Sequence, residues 1–259
     1  MRLIANISML FTELPLVERL EAARAAGFKA VEIQFPKEAE IGRLQAAMEQ
    51  TGIEIVLINV PRGPGDSVGL AALPGEESAF RAAVSDCARM AEALAVRKVN
   101  VLSGRPPPDA DAAACRAVLV DNLVHAADQM AQAGVRVMVE PVNRNDVPGF
   151  FLSGLAPTLE LLEEIGHPNL AMQFDLYHMA ITEPDLAAAV ARAGRWIGHV
   201  QFADTPGRHE PGSGNIDFAA ALKALQQTGY DGELSAEYRP AGATAAGLSW
   251  MRTFEEMII

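Results

Sequence analysis

With 259 residues the chain suits one large domain or two small ones, and it is long enough to bury a sizeable core. Half of its residues are hydrophobic and 21% are charged, with no apolar run near the roughly 18 residues that cross a bilayer, so a membrane-spanning helix is not expected. A formal net charge of -12 argues against nucleic acid as a partner, because binding it calls for a basic face that displaces counterions from phosphates.

The N-terminus, "MRLIANISML", lacks a basic leader with a long apolar segment and a small-residue cleavage site, so a cytoplasmic protein is expected. From there, β-branched apolar runs alternate with helical segments to the end of the chain, which is the pattern of βα repetition. The expected strands are "RLIAN" (2–6), "KAVEIQF" (29–35), "IEIVLINV" (53–60), "KVNVL" (98–102), "VRVMVE" (135–140), "LAMQFD" (170–175), "WIGHVQF" (196–202) and "ELSAE" (233–237). Between them, "LVERLEAARAAG", "IGRLQAAMEQTG" and "NLVHAADQMAQAG" read as helices closed by Gly27, Gly52 and Gly134.

Eight strands and eight helices make the α/β class and a (β/α)8 TIM barrel the expected fold, one domain over residues 1–259. An open doubly wound sheet is the alternative, weakened because no G-x-G-x-x-G follows the first strand. Two connections, 61–77 and 141–154, exceed the usual length and each follows a strand, which places them on the C-terminal face of a barrel as partial cover for a pocket. Cys87 and Cys115 fall in helices and read as core thiols. The last segment, "AGLSWMRTFEEMII", reads as a closing helix that packs Trp250 and Phe254.

The chemistry gathers at the ends of the late strands. Glu140, Asp175, Gln201 and Glu237 are the final polar residues of strands five to eight, and neighbouring strands lie only about 4.8 Å apart. Three carboxylates on one arc resist ionisation unless a cation sits among them. Oxygen donors without a thiolate favour Mg2+ or Mn2+ over zinc, although such a set also accepts Co2+ or zinc. His178, past the sixth strand, can hydrogen-bond a substrate hydroxyl or hold a loop. His199 reads as barrel filling, and His125 and His167 carry no signal. Arg208, in the Gly- and Pro-rich segment 204–218, is the best candidate to clamp an anionic substrate, ahead of Arg105 and Arg62. Glu32 and Asn6 fall in early strands, on the far side of the barrel, as lining residues or a core pair.

With these residues placed, the chain resembles the hydroxypyruvate isomerase family within the wider group of xylose isomerase-like barrels. The resemblance rests on "ANISMLFTELP", "GFKAVEIQFP", "ALPGEE", "VEPVN", "QFDLYHM", "GHVQFADTPGRHEPGSGNIDF" and "EYRP" followed by "AGLSW". It implies one divalent metal ion on Glu140, Asp175, Gln201 and Glu237, with Glu140 and Glu237 as the acid/base pair. It also implies 1,2-proton transfer through an enediolate on a small anionic hydroxy keto acid. Sugar epimerases of the group usually carry a histidine where this chain has Gln201. The rivals are 2-oxo-tetronate isomerase, ketose 3-epimerase and a non-catalytic sugar-acid binding barrel. A homo-oligomer is compatible with the sequence.

Overall fold

In a computed structural model, residues 1–258 are described. The chain runs β1 (Arg2–Asn6), α1 (Glu18–Ala25), β2 (Ala30–Ile33), α2 (Ile41–Thr51), β3 (Glu54–Asn59), α3 (Glu77–Ala93), β4 (Lys98–Val101), α4 (Ala112–Gln132) and β5 (Arg136–Val139). It continues through α5 (Leu155–Ile165), β6 (Leu170–Asp175), α6 (Leu176–Thr182), α7 (Leu186–Ala193), β7 (Ile197–Phe202), α8 (Phe218–Gln227), β8 (Glu233–Ala236) and α9 (Trp250–Ile258). The strands pair in chain order, all parallel, and β8 returns to β1 through Arg2–Glu233, Leu3–Leu234, Ile4–Ser235 and Ala5–Ala236. The sheet is a closed barrel, which removes the doubly wound alternative and leaves no edge unpaired. No helix among the described residues is long and apolar enough to cross a membrane.

Two details differ from the sequence expectation. Strands β5 and β8 stop at Val139 and Ala236, so Glu140 and Glu237 are the first residues beyond them. Pro141 has no N–H to extend the β5 ladder, and the chain there turns toward the mouth. The β6–β7 connection holds two helices, divided near Pro184, with Asp185 capping α7 by accepting from Ala188 N at 2.9 Å. Nine α-helices therefore replace the expected eight among the described residues, and His178 lies on α6 instead of in a loop.

Inside the barrel, Ile4, Ala30, Val56, Leu57, Met138 and Ala171 form a small apolar cluster of their own. Two residues further along from Ile4, Ala30, Met138 and Ala171 come Asn6, Glu32, Glu140 just past the end of β5, and Gln173, so the filling turns polar toward the C-terminal end. Between the pairs Met172–Ile197 and Gln173–His199, β7 carries one extra residue, Gly198. This bulge sets the phase in which His199 and Gln201 point inward above it. A Cβ at Gly198 would lie 2.6 Å from both Ala171 Cβ and Met138 Sδ, which only glycine avoids.

The long connections 61–77 and 141–154 stand over the C-terminal face and are tied to the β4 exit. Ala72 N donates to Ser103 O at 2.8 Å, Phe151 N to Gly104 O at 2.9 Å and Leu152 N to Ser103 Oγ at 3.1 Å. At the other end of the chain, α9 packs Trp250 and Phe254 against Phe202 and Phe218, with ring centroids 4.9 to 6.2 Å apart, and Trp250 Nε1 donates to Tyr238 Oη at 3.2 Å. The closing helix thus anchors the residue next to Glu237.

Gly198→Ala is expected to cost about 1–3 kcal/mol, as overpacking does where a neighbour cannot retreat. Urea denaturation checks this, and an unchanged midpoint would show that Met138 and Ala171 yield freely.

Candidate active site

Three carboxylates meet at the barrel mouth, and each has one oxygen tied down and the other turned into a shared space. Glu140 Oε2 accepts from Asn100 Nδ2 at 2.7 Å and from Gln173 Nε2 at 3.0 Å. Glu237 Oε1 accepts from Asn6 Nδ2 and Gln34 Nε2 at 2.8 Å each and from Gln201 Nε2 at 3.1 Å. Asp175 Oδ1 caps α6 by accepting from Tyr177 N at 2.9 Å. The remaining oxygens, Glu140 Oε1, Asp175 Oδ2 and Glu237 Oε2, face His178 and Arg208. All three groups are at most 6% exposed, so little water shares the burden of solvating them.

His178 enters this space from α6. Its Nε2 lies 3.5 Å from Asp175 Oδ2 and 3.8 Å from Glu140 Oε1, and a ligand atom from each of these three residues falls within one 4.8 Å group that can hold a metal ion. Behind it, Asn143 Oδ1 accepts from Asp146 N at 2.9 Å, which turns Asn143 Nδ2 toward His178 Nδ1 at 2.6 Å. Nδ1 therefore accepts and Nε2 carries the hydrogen in the neutral ring. Burial, helped by the Arg208 charge, lowers the imidazole to about 3 and keeps it neutral. In that tautomer His178 offers the mouth an N–H donor and no lone pair, which suits a substrate oxygen better than a cation.

Arg208 is placed by a loop built on Asp204. The Asp204 carboxylate, fully buried, accepts from the backbone N–H groups of Thr205, Gly212, Gly214 and Ile216 at 2.8 to 3.1 Å. Gly214 passes so near that a Cβ there would lie 2.3 Å from Thr205 O. Arg208 itself holds φ 58, a left-handed conformation uncommon outside glycine, and its carbonyl accepts from Arg239 N at 2.7 Å. The guanidinium lies 5.0 Å over the Tyr177 ring, contacts Glu237 Oε2 and stands 3.4 Å from Asp175 Oδ2. Its buried Nε has no partner among the described residues, which leaves a donor for an incoming anion. Arg62 instead stacks over Phe35 at 5.3 Å, and Arg105 faces Asp66 at 3.7 Å. Among the described residues, neither arginine forms a hydrogen bond or ion pair with the three carboxylates.

Gln201 reaches the group through its amide. Nε2 donates to Glu32 Oε1 at 2.6 Å as well as to Glu237, and Oε1 accepts from Gln173 Nε2 at 2.7 Å. Asn6 and Glu32 are not on the far side, as the linear order of strands suggested. Barrel closure sets β1 beside β8, and Asn6 Nδ2 donates to both Glu32, at 2.7 Å, and Glu237. The sequence did not mark Asn100, Asn143, Gln34, Gln173 or Asp204 as site residues, although all but Asn100 lie within the segments that carry the family resemblance, "VEPVN", "GFKAVEIQFP", "QFDLYHM" and "GHVQFADTPGRHEPGSGNIDF".

Burial pushes the three carboxyls up, and repulsion from neighbouring carboxylates, Glu32 included, adds to it. Glu140 stands well above the ordinary carboxylate value with Glu237 and Asp175 as its next causes. Asp175 rises to about 6 and Glu237 to about 7, each through burial that Arg208 only partly offsets. Glu32 goes the other way: His199, Gln201 and Asn6 outweigh its burial. Three convergent carboxylate oxygens that resist ionising without a further positive charge fit a divalent cation, and the absence of thiolate among them fits a hard one.

Residues 20–254 match the model of the family described as xylose isomerase-like TIM barrel. The chain belongs to the xylose isomerase-like TIM barrel family. It is 39% identical to a 2-oxo-tetronate isomerase of Cupriavidus necator, over 98% of each chain, and 37% identical to the hydroxypyruvate isomerase of Escherichia coli, over 97% of this chain and 98% of the relative. Among solved structures it is similar to a Brucella melitensis protein described as an AP endonuclease of family 2, with a TM-score of 0.94, 34% identity and 98% of each chain covered. The hydroxypyruvate isomerase resemblance seen in the sequence is borne out, and with it an isomerase of this family.

For this xylose isomerase-like barrel the mouth makes pH and metal interdependent. A group whose folded pKa lies above its unfolded value binds more protons when folded, so its contribution is complete below about pH 4 and is lost as pH rises through the folded value. From Asp175 and Glu237 the metal-free protein is expected to lose thermal stability between about pH 4 and about pH 7. Mg2+ or Mn2+ should then raise Tm more at about pH 8 than at about pH 5, and an equal gain at both would contradict the assignment. Asp204→Ala, which strips four N–H groups of their acceptor, is expected to cost about 1–3 kcal/mol and to speed hydrogen exchange across 205–216. Unchanged exchange there would show that the loop holds without it.

Proposed function

We propose that the protein interconverts a small 2-keto acid and its hydroxy-aldehyde isomer, hydroxypyruvate and tartronate semialdehyde first among them, by 1,2-proton transfer through an enediolate. The observation that carries this reading is the pair Glu140 and Glu237: two dry carboxylates, each with its rear oxygen fixed by amides and its front oxygen turned into one space, that of Glu237 against the Arg208 guanidinium. Similarity to full-length relatives named for hydroxypyruvate and 2-oxo-tetronate supports the substrate class.

Glu140, Asp175, Gln201 and Glu237 would hold a divalent cation, Mg2+ or Mn2+. When bound, that ion supplies positive charge that polarises the substrate's carbonyl and hydroxyl oxygens and acidifies the adjacent C–H. Glu140 and Glu237 approach from different arcs, one framed by Asn100 and Gln173 and the other by Asn6, Gln34 and Gln201. One glutamate removes the proton from the hydroxyl-bearing carbon, the hydroxyl proton passes to the former carbonyl oxygen, and the other glutamate returns a proton to the neighbouring carbon. His178 donates from Nε2 to a substrate oxygen, and Arg208 takes the substrate carboxylate with the N–H groups that its protein contacts leave over. The loop connections 61–77 and 141–154 limit water at the mouth.

A second reading, the same chemistry on the longer 2-oxo-tetronate, is supported by the Cupriavidus necator relative. The net charge of -12 and a single histidine in the carboxylate group speak against DNA as substrate. A neutral ketose would leave the spare donors of Arg208 without a carboxylate.

Glu140→Gln and Glu237→Gln are each expected to lower kcat by at least about a thousandfold with the fold retained, and near-normal turnover in either would remove it from the acid/base pair. Arg208→Ala should chiefly raise KM for carboxylated substrates. Deuterium uptake from D2O into hydroxypyruvate, lost with chelator and regained with Mn2+ or Mg2+, separates catalysis from binding alone. A panel that includes 2-oxo-tetronate and neutral ketoses ranks the substrates.

A further inference from the structure

Resting on the assignment of Gln201 as a metal ligand, we propose that Glu32 is a positioning residue that decides which end of the Gln201 amide faces the carboxylates of the mouth. Glu32 lies on β2, is fully buried and touches none of the three front oxygens. Its own contacts all come from donors. Oε1 accepts from Gln201 Nε2 at 2.6 Å and from Asn6 Nδ2 at 2.7 Å, and Oε2 lies 2.6 Å from His199 Nε2.

An ionised carboxylate has no hydrogen to give, so it can meet only the NH2 end of a glutamine amide. The Gln201 NH2 also donates to Glu237 Oε1 at 3.1 Å. With both hydrogens spent on Glu32 and on the rear oxygen of Glu237, Gln201 Oε1 is left on the side of β6 and Glu140, where it accepts from Gln173 Nε2 at 2.7 Å, itself a donor to Glu140 Oε2 at 3.0 Å, and keeps a second lone pair for a cation. Rotating the amide by half a turn would set its oxygen against two carboxylates and its hydrogens against an NH2 group. Three hydrogen bonds would become three like contacts in a dry interior, where such contacts are most costly.

The neighbours of Glu32 keep it a pure acceptor. Asn6 Oδ1 accepts from Ser8 N at 3.0 Å, which turns the Asn6 NH2 toward Glu32 and Glu237. His199 is fully buried, and the nitrogen it presents to Glu32 is the one that must carry hydrogen there. The order of constraint therefore runs from Ser8 and His199 to Glu32, from Glu32 to Gln201, and from Gln201 to the oxygen it can offer a cation. An amide oxygen binds a hard cation and an amide NH2 does not, so amide orientation separates a ligand from a bystander.

The test is calorimetric titration of the whole protein with Mn2+, with circular dichroism to confirm folding. Absence of binding by the unaltered protein would sink the metal reading itself. If the unaltered protein binds, Glu32→Gln is expected to weaken binding by about 10- to 100-fold, the range for groups that orient a ligand from behind. Gln201→Leu should weaken it as well, and adding Glu32→Gln to Gln201→Leu should change nothing further, because Glu32 acts only through that amide. The absorption spectrum of the Co2+-loaded Glu32→Gln variant should match that of Gln201→Leu. Unchanged affinity in Glu32→Gln, or losses that simply add in the double variant, would overturn the proposal while leaving the metal reading in place. Should Glu32→Gln not fold, Glu32→Asp keeps the charge, draws the carboxylate back by one methylene, and is expected to follow the same ordering.

Discussion

Keeping three carboxylates close together and out of water is the constraint to which the rest of the barrel is fitted. Glu140, Asp175 and Glu237 cannot all be solvated there, and none is left to repel the others freely. Amide hydrogens from Asn100, Gln173, Asn6, Gln34 and Gln201, and the Tyr177 N–H at the start of α6, take one oxygen of each. These donors carry no net charge, so they fix position and leave the demand of the front oxygens for positive charge to Arg208, which reaches those of Asp175 and Glu237. A neutral His178 and a loop-borne Arg208 complete the lining, the first because burial strips its proton and the second because Asp204 folds the loop that carries it.

Barrel closure turns a list of strand ends into that arrangement. Pairing β8 with β1 brings Asn6, and through the β1–β2 ladder Glu32, to the flank of Glu237. The Gly198 bulge in β7 then sets His199 and Gln201 into the interior at the height where Glu32 meets them. A column of buried polar groups thus occupies space that Val, Ile and Leu fill in a barrel core built for stability alone. Such a column is tolerated because its members satisfy one another, with a few atoms such as Gln173 Oε1 and His199 Nδ1 left without partners among the described residues.

Much of the architecture was legible because strands buried on both faces must be nearly continuous apolar runs, and helices between them must show a helical period. The four strand-end oxygens stood out for the same reason: Asp175 ends an apolar run, and a polar residue there needs a partner. The tied oxygens were not legible. Gln34, Asn100 and Gln173 are ordinary polar residues along the chain, and only their distances to Glu237 and Glu140 show that they hold them. Asp204 looked like one acid in a turn-rich segment, since four backbone donors scattered over twelve residues leave no periodic trace.

By itself the sequence determined the alternation of strands and helices, the barrel, the polar strand ends and the family, because burial and periodicity are local properties written residue by residue. Tertiary structure alone decided that β1 and β2 flank β8, that His178 sits on a helix with its Nε2 hydrogen toward the mouth, and that Gln201 is oriented by Glu32. The physical reason is that hydrogen-bond direction depends on which donor meets which acceptor across the closed barrel, and those partners lie up to 231 residues apart along the chain.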